Sequence, residues 1–65
     1  MKYTIRQWRV LQGMTQAELA EKMGKSLMTI SNWETGKSHI RYTDVIKLRS
    51  VLNLKVTDDI VMSEA

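Results

Sequence analysis

Three glycines divide this sequence. Gly13, Gly24 and Gly36 stand 11 and 12 residues apart, and no proline interrupts the stretches between them. Glycine enters the left-handed backbone that closes a helix at little cost. The spacing therefore predicts short helices, each stopped by a glycine or, further on, by Asn53. Helix starts match these stops. Thr15 and Glu18 have the spacing of a capping box, in which each side chain satisfies the other's orphan backbone N–H. Ser26, Thr43 and Thr57 suit N-cap positions. Asp58 and Asp59 would then follow in a first turn, where negative charge is favoured. Five helices result, at about 4–12, 16–23, 27–35, 43–52 and 57–62.

Apolar spacing agrees with this division. Ile5, Trp8 and Leu11 line one side of the first helix, and Leu19, Ala20 and Met23 one side of the second. Val45, Ile46, Leu48, Val51 and Leu52 make the fourth broadly apolar, as expected of a central helix. Trp8 and Trp33, at helical spacing, read as core residues before stacking platforms. The predicted fold class is all-α: a compact bundle of five short helices, one domain over residues 1–65. A chain this short has room for one domain only and for a thin core without a deep cavity. A hydrophobic fraction of 43% argues against disorder. With no cysteine, packing alone must hold the fold, and disulfides and thiolate metal sites are excluded. No apolar run reaches the roughly 20 residues that span a bilayer, and no signal-peptide core follows Met1. The expected setting is cytoplasmic.

Charge is unevenly spread. Residues 1–56 carry 10 basic and 4 acidic side chains, a net +6, whereas residues 57–65 carry only Asp58, Asp59 and Glu64. A basic body suits a polyanionic partner.

Gly24, Lys25 and Ser26 alone join the second and third helices. A turn of three or four residues containing glycine is the helix-turn-helix connection, which sets two helices at a steep angle. Ala20 is small enough to let them approach, and Ile30 suits the buried anchor. On a wheel of 100° per residue, Leu27, Met28, Ser31, Asn32 and Thr35 share an arc of about 140° opposite Ile30 and Trp33. That arc has no charge but holds two large apolar side chains. Something other than water is expected to cover it. The DNA major groove fits. Asn32 can pair in bidentate fashion with adenine, Ser31 can donate or accept, and Leu27 and Met28 can pack on thymine methyls. The cations stand around the arc, Lys25 before it and Lys37 and Arg41 after it. Phosphates at the rim and bases at the centre are what positioning and specification require.

The run from Gln16 to Lys37 resembles the helix-turn-helix of phage lambda-type repressors and Cro proteins, within the wider xenobiotic-response-element (XRE) family. Gln16, Ala20, Gly24, Ile30, Trp33, Glu34 and Gly36-Lys37 carry the resemblance. Ile5, Trp8, Arg9, Gly13 and Met14-Thr15-Gln16 extend it upstream, and it continues to about Ile60, over nearly the whole chain. It implies that Leu27, Met28, Ser31 and Asn32 occupy base-reading positions, and Thr35, on the same arc, is a fifth candidate. It implies phosphate contacts from Gln16 with Thr15, from Lys25 and Ser26, and from the loop residues Lys37, Ser38 and Arg41. Arg9 and Glu34 match an ion pair of the family that ties the first helix to the third. Two features depart from the pattern. Leu27 and Met28 stand where relatives often have glutamine, arginine or another polar residue, and the loop 37–42 lacks the proline many relatives have.

Plainer readings compete. Asn32 can be an ordinary polar surface residue, and His39 reads as an exposed loop residue beside phosphate before a metal ligand. Lys22, Lys47 and Lys55 read as solvated. An enzyme is not expected. The sequence has no glycine-rich phosphate loop, no nucleophile with a base and no helical histidine pair for zinc, so neither cofactor nor metal is implied. The expected function is sequence-specific binding of double-stranded DNA by a transcriptional regulator of Cro or small-repressor type, acting on a pseudo-palindromic operator in the nucleoid. The competing reading is a protein-interaction module, antirepressor-like or antitoxin-like, that presents Leu27 and Met28 to a regulatory protein. A weak homodimer, strengthened on DNA, is expected through Leu54, Val56, Ile60, Val61 and Met62.

Overall fold

The computed structural model describes residues 1–62, so Glu64 of the acidic end lies outside the described part. In chain order the elements are β1 (Lys2–Thr4), α1 (Ile5–Leu11), α2 (Gln16–Met23), α3 (Leu27–Thr35), α4 (Tyr42–Val51) and β2 (Asp59–Val61). There are four helices among the described residues, and the expected fifth, over 57–62, does not form. In its place β2 pairs with β1 in parallel, with Lys2 opposite Asp59, Tyr3 opposite Ile60 and Thr4 opposite Val61. The reason is physical. Six residues make fewer than two helical turns and cannot repay nucleation, while β-branched Ile60 and Val61 suit a strand.

Thr57 is accordingly no N-cap. Asp58 instead closes a turn: its carboxylate accepts the Lys55 backbone N–H at 3.0 Å and sits 3.3 Å from the Met1 ammonium. The Lys55 N–H holds the Asp58 carboxyl below its ordinary value, and the ammonium adds to this.

The other helix ends follow their chemistry. Thr15 and Glu18 form the expected capping box on α2, and the Thr15 N–H lowers the Glu18 carboxyl pKa. A second box, Thr4 with Gln7, starts α1 directly from β1. Gly24 and Gly36 close α2 and α3 at φ of 67° and 77°, a backbone region that a side chain would strain. α4 starts one residue earlier than the sequence pattern indicates. Arg41 holds its cap position without a side-chain bond, so Thr43 lies inside the helix.

The core consists of Ile5, Trp8, Leu19, Ala20, Met23, Ile30, Trp33, Leu48 and Leu52. α4 contributes Leu48 but leaves Ile46 exposed, so it is an outer helix packed on α2 and not a central one. Leu11 also points outward. Trp8 ties the strands to this core. Its indole N–H donates to the Asp59 carbonyl at 2.9 Å, and Tyr3 meets its ring edge-on at 5.0 Å. No helix among the described residues is long and apolar enough to cross a membrane.

Candidate nucleic-acid interface

α2 and α3 are the most extensively packed pair of helices. Ala20, nearly inaccessible, lets them close on each other, and Ile30 is completely buried beneath α3. The three-residue turn is fixed from both sides. Lys25 N–H donates to the Ala20 carbonyl at 2.9 Å, and the Ser26 hydroxyl accepts the Thr29 N–H at 3.1 Å to start α3.

Burial of Ile30, Trp33 and Glu34 sets the rotation of α3 and turns the opposite arc outward. Leu27 and Met28 are 52% and 69% exposed, which is high for such apolar side chains. Thr35 is exposed, and Ser31 and Asn32 are half-buried. The Thr35 hydroxyl donates to the Ser31 carbonyl at 2.9 Å, which leaves its lone pairs for an incoming donor.

The residues around this arc differ in how free they are. Lys37, Ser38, His39 and Arg41 are exposed in or beside the loop that follows α3. Lys25 is exposed but faces Asp44 at 3.5 Å. The hydroxyls of Thr15 and Ser26 are engaged as helix caps. Gln16 is half-buried, and its amide donates to Glu34 Oε1 at 3.0 Å.

Glu34 is the junction of the site. Arg9 Nε and a terminal guanidinium nitrogen donate to its two oxygens at 2.7 and 3.2 Å, and the other terminal nitrogen donates to the Met14 carbonyl at 2.9 Å. α1, α2 and α3 thus share one buried carboxylate, and Arg9 also holds the turn before α2. Arg6, one turn before Arg9 on α1, is exposed and stands outside the residues that the sequence pattern or the resemblance assigns to the site. Its place three residues before Arg9 is the signal that puts both on the same side of α1.

The residues expected at a dimer surface divide. Leu54 and Ile60 pack against the chain's own core, whereas Val56, Val61 and Met62 are exposed. Among the described residues no group of three His, Cys, Asp or Glu side chains could hold a metal ion.

Known proteins bear on this geometry. A family model described as helix-turn-helix matches residues 5–58, from the start of α1 to the turn before β2. An uncharacterized HTH-type transcriptional regulator of Archaeoglobus fulgidus is 38% identical over 58 residues, which are 89% of this chain and 83% of the archaeal one. No solved structure matches the chain. With most of its length matched to the family and a relative this similar, the chain belongs to the XRE-type helix-turn-helix family.

Proposed function

We propose that this protein is a DNA-binding transcriptional regulator that reads a specific double-stranded operator with α3 in the major groove. The observation that carries the reading is the uncharged, outward arc of α3, apolar at Leu27 and Met28 and polar at Ser31, Asn32 and Thr35, with Lys37, Ser38 and Arg41 beside it. The family and the regulator named among its relatives support it.

In this reading Leu27 and Met28 pack on thymine methyls while Asn32 pairs with adenine and Ser31 with a neighbouring base. Gln16, Thr15, Lys25, Ser26, Lys37, Ser38 and Arg41 fix the register on phosphates. One such module covers about 600–1,000 Å² of its own surface. Two copies on a pseudo-palindrome, with half-site centres about 34–36 Å apart, would add their contacts in the manner of Cro and small repressors. Val56, Val61 and Met62 are the apolar residues open for that association.

Selection of bound duplexes from a random pool at about 150 mM salt, where nonspecific phosphate binding is reduced, tests both parts. An enriched motif with two-fold symmetry is the expected result, and a motif without symmetry removes the dimer. A pool that stays random removes the DNA reading. The exposure of Leu27 and Met28 would then favour the protein-interaction module.

Two substitutions separate the roles. Asn32→Ala should cost about 1–3 kcal/mol on the best site and relax preference at one base pair. Lys37→Ala should weaken all sequences alike and flatten the salt slope by about one. Equal weakening of every sequence by Asn32→Ala would remove its reading role.

A further inference from the structure

We propose that Arg6 is a phosphate-binding residue of this interface, which extends the DNA contact from α2 and α3 onto α1. The inference rests on the DNA-binding reading above and adds to it a residue outside the helix-turn-helix.

A groove of about 650 Å³ runs between α1, the start of α2 and α3, and Arg6, Thr15, Gln16, Leu27, Glu34 and Thr35 line it. Leu27 and Thr35 belong to the outward arc of α3, and Gln16 starts the helix that packs across it. The groove therefore borders the proposed reading surface along its α1 side. Its one carboxylate, Glu34, is already held by Arg9 and by the Gln16 amide. Arg9 is consumed in that bond. Arg6 is exposed and, among the described residues, has no carboxylate within ion-pairing distance. It is the cation that this groove keeps available.

The position on α1 decides what it meets. The major groove is about 12 Å wide and admits one helix. Elements flanking that helix face the sugar–phosphate backbone, where contacts position the protein and carry no sequence information. Arginine is suited to the task, since its planar fork of donors matches two phosphate oxygens at once.

The test is DNA binding by the full chain as a function of salt, with Arg6→Ala and Arg6→Lys compared on the selected operator and on an unrelated duplex. Each phosphate contact contributes about −0.9 to the log–log salt slope, so Arg6→Ala should flatten the slope by about that amount. Its affinity loss should then be about 5-fold at 150 mM salt and about 15-fold at 50 mM. Both duplexes should lose the same factor, Arg6→Lys should keep the slope of the parent, and thermal unfolding should be unchanged. A parental slope for Arg6→Ala overturns the assignment and leaves the DNA reading intact. A loss confined to the operator overturns it in favour of base contact. A parent chain that binds neither duplex overturns both readings.

Discussion

Glu34→Ala should come close to unfolding this protein. The Glu34 side chain is only 3% exposed and Arg9 only 11%, so removal of the carboxylate strands a guanidinium in the protein interior and leaves the Gln16 amide without its acceptor. Breaking one side of such a pair costs about 3–5 kcal/mol. A chain of 65 residues has a total stability of only about 3–10 kcal/mol. At about 4–8 °C per kcal/mol for a domain of this size, the melting temperature should fall by at least about 12 °C. Arg9→Met combined with Glu34→Leu should recover most of the loss, because replacing a buried pair by apolar side chains is often neutral. Thermal unfolding of the two variants is the measurement. A loss below about 1 kcal/mol in Glu34→Ala, at the level of an exposed ion pair, would show that water reaches the pair.

Trp8→Ala should have an effect of similar size by another route. Trp8 is 6% exposed, fills the core beside Ile5, and holds the β2 backbone through its indole N–H. Truncation of a buried tryptophan to alanine costs about 3–5 kcal/mol. Trp8→Phe keeps most of the apolar contact but removes the donor to Asp59 and part of the ring volume, and should cost less than Trp8→Ala, about 1–3 kcal/mol. Urea unfolding of the three chains resolves the two contributions. An unchanged midpoint in Trp8→Ala would mean that the strands and α1 are not packed on one core.

The helices were legible in the sequence because their ends are local chemistry. Thr15 with Glu18, Ser26, Gly24 and Gly36 act within one turn of themselves. The sheet was not legible. Thr57, Asp58 and Asp59 followed by Ile60 and Val61 look like a capped acidic helix start, and only a partner at the other end of the chain, the three residues of β1, makes them a strand. Val45 and Ile46 misled in a related way, since apolar spacing reports a face but not how much of it a neighbour covers.

The site shows the same division. The arc on α3 follows from helical period alone, and the rotation seen in the structure agrees with it. The pairing of Arg9 with Glu34 came only from family resemblance, and the Gln16 amide that joins them was legible in neither pattern nor resemblance, because its element meets α3 only in the fold. The spacing of Arg6 from Arg9 places both on one side of α1, but the groove that Arg6 shares with Thr35 and Gln16 exists only once α1 has packed.

The pairing of β1 with β2 also changes what the ends of so small a domain do. Chain ends ordinarily fray one at a time and cheaply. Here each strand is the other's only ladder partner among the described residues, and both rest on α1. Neither can peel away without orphaning the backbone groups of the other. The two strands therefore open as a single cooperative unit with one opening free energy, and the amides bonded in their ladder should share one protection factor against exchange with solvent. Whichever end is pulled, the same latch resists.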